Sequence, residues 1–157
     1  MTVFLALIMV VLVGFLGLAV DVGHLYLVKG QLQNAADAAA LAGAGIMCQG
    51  MGDVSQVRSE TLNFVAKNKS DGVSLADAEI QLGCMDSNNT FNTSCPEIKA
   101  VKVTVSRAPD NNGGPVATLF ARVLSPDGSL DNFSVSAKAV AAVFNQSSTV
   151  KKPHLVQ

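Results

Sequence analysis

The chain has no tryptophan and a single tyrosine, Tyr26, in 157 residues. That leaves no material for an aromatic electron-conducting stack, and its seven phenylalanines are read as packing residues. Proline is absent before Pro96, so no pyrrolidine ring interrupts a helix in the first half. Charge is scarce, at 15% of residues, against about 25% in an average soluble domain. A net charge of -1 argues against a nucleic-acid partner, which needs a basic surface. The two histidines, His24 and His154, stand at opposite ends of the sequence and no C-x-x-C occurs, which excludes the usual zinc spacings. There is no G-x-S-x-G, Walker loop, H-E-x-x-H or G-x-G-x-x-G. The expectation is therefore no enzyme, no cofactor, no metal and no small-molecule substrate.

What is present is uneven. Apolar residues make up 49% of the chain, and the first twenty residues carry no charged side chain. Val3 to Val20 is an uncharged run within the roughly 17–25 residues needed to cross a bilayer. A cleaved secretory signal would carry a basic leader, a shorter apolar core and a nearby small-residue cleavage site. Here the first basic residue is Lys29, beyond the run. Taken alone, Lys29 would place the following domain in the cytoplasm. Cys84 and Cys95, in a polar loop, point instead to an oxidising compartment. A basic leader removed before Met1 reconciles the two, so the expectation is a processed N-terminus.

Beyond Asp21, apolar or small residues fall at 25, 28, 32, 35, 36, 39, 42, 43 and 46, the stripe of an amphipathic helix. Ala dominates 35–44 and is the best helix former. The pattern predicts one helix over 3–47. Its alanine face is expected to be hidden by sister helices, since an exposed single helix gains nothing from it. Gly14 and Gly17 would permit close helix approach, although glycine is also simply common in membrane helices. The glycines of "CQGMGD", 48–53, end the rod. A second helix is expected over 54–67, and a strand entering a loop at "LADAEIQLGC". Half-buried strands are expected at 97–108 and 133–144 from their alternation. A short helix is expected at 116–124, and an edge strand or arm in the tail from 145. The resulting fold class is α+β, with a long N-terminal hydrophobic helix (1–47) followed by a small globular domain (48–157) containing an antiparallel sheet and short helices.

Three cysteines leave one unpaired if a bridge forms. Cys84 and Cys95 enclose a polar loop that apolar packing cannot hold, and a bridge there would contribute about 2–3 kcal/mol. Cys48 would then be free and buried at the end of the rod. Pairing of Cys48 with Cys84 or Cys95, or three reduced thiols, remain open at this stage. N-x-S/T triplets at Asn68, Asn88, Asn92, Asn132 and Asn145 are read as chance in an Asn- and Ser-rich domain.

The segment 6–44, "ALIMVVLVGFLGLAVDVGHLYLVKGQLQNAADAAALAGA", resembles the N-terminal segment of TadE/TadG-like proteins of bacterial Flp (Tad) pilus systems. The pattern G-x-A-x-D-x-G-x-x-Y is matched by Gly17, Ala19, Asp21, Gly23 and Tyr26. L-Q-x-A-A-D-A-A-A is matched by Leu32, Gln33 and Ala35 to Ala40 around Asp37. "TLFARVL" and "FSVSAKAVAAV" resemble the end of shorter members. The resemblance implies a type IV pilin-like protein, made in the inner membrane and then displayed in an extracellular pilus at the bacterial surface. Its implied partners are copies of itself in a helical filament, the inner membrane before assembly and the pilus-assembly machinery. The alternative is an anchored minor pilin or assembly accessory with a periplasmic binding domain. One departure is Leu5, which stands where type IV pilins carry a glutamate if Met1 begins the mature chain. The residues expected to pack in assembly are Leu5, Gly14, Gly17, Asp21, His24, Lys29, Leu32, Ala36, Ala39 and Gly43. A buried Asp21 needs a partner; Lys29 or the Met1 amine of a neighbour, or His24 in the same chain, are candidates, and solvation at the lipid–water boundary is the alternative. The loops at 85–94 and 109–114 are the expected adhesive surface.

Overall fold

The computed structural model describes residues 1–49, 53–125 and 127–144. The expectations for the tail from 145 and for the middle of "CQGMGD" fall outside them. Helix α1 runs unbroken over Thr2–Cys48, one residue beyond the expected bounds at each end. Helix α2, Val54–Ala66, follows. Two-residue strands β1, Lys69–Ser70, and β2, Val73–Ser74, form a hairpin. Asp71 and Gly72 supply its turn, both with positive φ, the Asp-Gly chemistry that a two-residue primed turn demands. Strand β3 is Glu79–Met85, β4 is Phe91–Asn92 and β5 is Ala100–Arg107. Strand β6 is Val116–Ala117, helix α3 is Ala121–Leu124, and strands β7 and β8 are Asn132–Phe133 and Val135–Ala142.

The main sheet is antiparallel, in the order β4-β3-β5-β8. Its inner face follows from the period-two alternation of each strand. Val101, Val103 and Val105 on β5 stand opposite Ala141, Ala139 and Ala137 on β8. All six are buried. The second half of α1 lies across this face and also packs on α2. Alanines on β8 meet alanines on α1, so backbone can approach backbone closely. At the far edge, Gly83 leaves room for β4, because a Cβ there would run into the Asn92 carbonyl oxygen. Cys84 and Cys95 form a disulfide, with Cα atoms 6.1 Å apart. Away from the sheet edge, the buried Asn112 side chain staples two loops together. Its oxygen accepts from the Ala76 and Asp77 amides, and its nitrogen donates to the Asp77 and Ser106 carbonyls.

Three expectations need correction. The helix expected over 116–124 is confined to Ala121–Leu124, and its first residues form β6 against β7. Thr118 explains the difference: its hydroxyl donates to the Leu130 carbonyl at 2.6 Å and its amide to the Asp131 carbonyl at 3.0 Å, so this stretch is held in sheet pairing. At the other end, Ser125 precedes a proline and has left the helical region (φ -122°, ψ 84°). Cys48 is free but exposed rather than buried, because α1 overshoots the end of the sheet. The alanine stripe of α1 is covered by the chain's own sheet and α2 rather than by sister helices.

Candidate functional site

Gly17, Asp21, Val28, Leu32, Ala35, Ala36, Ala39, Ala40, Gly43 and Ala44 are the buried residues of α1, and their spacing defines one stripe. From Val28 onward the stripe is covered by β5, β8 and α2 of the same chain. Leu32, Ala36 and Ala39 are wholly buried. Gly43 sits so close to α2 that an added Cβ would lie 2.5 Å from the Thr61 hydroxyl oxygen and 3.2 Å from Val101. The expectation that sister helices hide this face is thus wrong. A periodic apolar stripe reports that a face is buried but not what buries it, and here the chain's own sheet does so.

At the other end of the stripe Asp21 is 4% exposed. Its carboxylate accepts three backbone hydrogen bonds, from Leu119 (2.9 Å), Phe120 (3.0 Å) and Ala121 (2.6 Å). These amides open the first turn of α3, where N–H groups lack helical partners. Phe120 offers no side-chain cap, so Asp21 caps α3 from about a hundred residues away in sequence. Burial alone would raise the Asp21 carboxyl, but the Leu119, Ala121 and Phe120 amides and the nearby His24 outweigh it and hold it below the ordinary carboxylate range. The expected solvation at the lipid boundary does not describe this site, which is 4% exposed; of the expected charged partners, His24 of the same chain lowers the carboxyl. His24 contributes only at longer range, because its ring nitrogen Nε2 lies 3.0 Å from Asp71 Oδ1 in the β1–β2 turn. Gln31 Oε1 accepts from the Asp71 amide at 2.7 Å, which ties the same turn to α1 two helical turns further on.

One turn before Asp21, Gly17 is covered by Phe120. A Cβ on Gly17 would come within 2.8–2.9 Å of the Phe120 Cβ and ring, so this glycine makes room for an aromatic side chain of its own domain. Gly14 faces open space, and Leu5 and Lys29 are exposed. Of the residues expected to pack in assembly, Gly17, Asp21, Leu32, Ala36, Ala39 and Gly43 are therefore consumed within the protomer, while Leu5, Gly14 and Lys29 still face outward. His24 is half-buried. Residues 1–20 are otherwise bare apart from Gly17 and, in part, Gly14. The helix is long and apolar enough to cross a membrane. On the outer face of its second half, Val22, Tyr26, Leu27 and Leu41 remain exposed. Among the described residues, no three of His, Cys, Asp and Glu converge as metal ligands would.

The residues missing from the sequence reading are Leu119, Phe120 and Ala121. They act on Asp21 through backbone amides, which any residue type supplies, so only an unexplained carboxylate beside an apolar run signalled them.

A family model described as Flp pilus-assembly TadE/G-like matches residues 1–45. A second, described as Tad-like Flp pilus-assembly, matches residues 30–141, more than half of the chain. No curated protein and no solved structure matches.

Proposed function

The chain belongs to the Tad-like Flp pilus-assembly family, and from that premise we propose that it is a pilin-like structural subunit. Residues 3–20 hold it in the inner membrane before assembly, and the same residues then pack with copies of themselves in the core of an extracellular filament. The observation that supports this reading is the bare rod: α1 continues past the domain over residues 2–16, with Val3, Phe4, Leu7, Val10, Leu16 and their neighbours exposed. Burying each such side chain is worth about 1.5–3 kcal/mol, so this length of helix requires lipid or other helices around it at every stage. Gly14 keeps open space above its backbone, which allows close helix approach. Val22, Tyr26, Leu27 and Leu41 extend the available surface along the outer face of the docked half. A head-to-tail contact that does not close produces a fibre.

A second reading, an anchored minor pilin or assembly accessory, draws on the other half of the helix. The alanine stripe that would have lengthened the filament core is used inside the protomer. Mass spectrometry of sheared surface filaments, from parent cells and from cells lacking this chain, separates the two. The subunit reading expects this chain as the dominant filament protein and no filaments without it. Trace amounts, with filaments lost in its absence, identify the accessory. Filaments that persist without the chain contradict both.

A further inference from the structure

We propose that α3 and the residue before its first turn form a second membrane contact, a lipid-facing patch that lies in the headgroup boundary beside the spanning helix. The proposal rests on the membrane-anchored state, which both readings above share. Its basis is depth. Three hydrogen bonds pin the amides of Leu119, Phe120 and Ala121 to Asp21, the first residue after the apolar run. Phe120 reaches further, over Gly17, four residues or about 6 Å along the helix axis into that run. With residues 3–20 across the hydrocarbon, Phe120 lies level with the last turn of the span, and α3 cannot stand clear of the bilayer. The interfacial zone is roughly 5–10 Å deep, enough to contain the four residues of α3.

The side chains at this level suit lipid. Leu119 is 62% exposed, Val123 76%, Leu124 58% and Phe120 46%, although each belongs to a short segment anchored by buried bonds. Nothing else in the described chain covers them. Val20 and Val22, on either side of Asp21 on α1, are exposed as well. Arg122 extends from the same turn, exposed and 3.9 Å from its carboxylate neighbour Asp131, free to reach a lipid phosphate while its stem lies along the apolar surface. A second copy of the chain is the rival occupant. Lipid is favoured because the depth of α3 is set by bonds within the protomer, which hold the patch beside the span. Two attachments, the span and α3, would hold the domain at a set angle to the membrane until extraction frees both together.

The absence of tryptophan makes the test clean. The full chain would be reconstituted in phosphatidylethanolamine–phosphatidylglycerol vesicles as single-tryptophan variants Val123→Trp and Leu124→Trp. Val11→Trp, mid-span, and Ile98→Trp, at the opposite end of the domain, serve as references. Expected results are blue-shifted emission for both α3 variants and stronger quenching by lipid brominated near the headgroup than near the chain end. Acrylamide quenching should be several-fold weaker than for Ile98→Trp. If both α3 variants match Ile98→Trp while Val11→Trp is quenched by bromolipid, the proposal is wrong and the anchored state stands. If Val11→Trp also escapes bromolipid, the anchored state itself fails and the proposal with it. Protection from acrylamide without bromolipid quenching, growing with protein-to-lipid ratio, assigns the patch to a second copy and overturns the proposal.

Discussion

Replacing Asp21 with Leu removes the acceptor from three backbone amides at once, at 2.6–3.0 Å, while leaving a side chain that suits the helix. A buried donor left without a partner costs about 1–3 kcal/mol. The three costs do not add, because all three amides open together and water can reach the rim of the site. A total of about 3 kcal/mol is consistent with the 3–5 kcal/mol typical of breaking a buried charged contact from one side. Asn at the same position keeps one oxygen, which can still serve the two amides that Oδ2 serves now, but turns an NH2 group toward the third. Its cost should be about 1–2 kcal/mol. Because the contact joins α3 to α1 and not the core sheet, the loss should appear as local opening. At about 1.4 kcal/mol per tenfold, amide hydrogen exchange over 119–121 should accelerate about 100-fold in Asp21→Leu and about tenfold in Asp21→Asn. Exchange in β5 should stay unchanged. Mass-spectrometric exchange on the detergent-solubilised full chain reads both regions. Equal exchange at 119–121 in all three proteins would refute the idea that this carboxylate holds α3.

The pH dependence carries its own sign. The Asp21 carboxyl is held below its ordinary value in the folded chain, so its contribution is fully present above about pH 4 and is lost as pH falls through the lowered value; protection at 119–121 should be flat from pH 7 to 5 and fall below 4. Gly17→Ala should displace Phe120, because its Cβ would lie within 2.9 Å of the Phe120 Cβ and ring; it should weaken α3 docking by about 1–3 kcal/mol, and Phe120→Gly in the same chain, which removes the Cβ as well as the ring, should relieve the clash, both by exchange at 119–121. Gly43→Ala should instead lower the melting temperature of the whole domain, by several degrees for a cost of about 1–2 kcal/mol, since Thr61 and Val101 leave no space. Replacing both Cys84 and Cys95 with Ser should cost about 2–3 kcal/mol in denaturant unfolding, with β5 and β8 still formed.

Local patterns carried most of the fold. The i, i+3, i+4 stripe and the lack of proline mark α1 almost to its ends, and the alternation of Val101, Val103 and Val105 marks β5. Where a short segment takes its conformation from distant pairing, the pattern misleads. Val116 and Ala117 look helical beside Leu119 and Phe120, yet they pair with Phe133 and Asn132. The site divides the same way. Asp21 is conspicuous as a carboxylate at the end of an apolar run, but its partners are peptide N–H groups about a hundred residues away, and peptide groups leave no mark in composition or spacing. Likewise Ala36, Ala39 and Gly43 announce a close-packed face, and only the tertiary structure shows that β8 and α2 occupy it. Leu5, by contrast, is exposed, and Gly14 has open space where a side chain would stand, so what they meet depends on neighbours outside this chain.

The most direct test of the central claim is an electron cryomicroscopy map of sheared surface filaments, with side chains traced. The account predicts this sequence in the density, residues 2–20 of successive copies packed together as the core, and residues 28–44 still lying across β5 and β8 of their own protomer. A core built from another polypeptide, or residues 28–44 pulled from their own sheet to pack on sister helices, would contradict it.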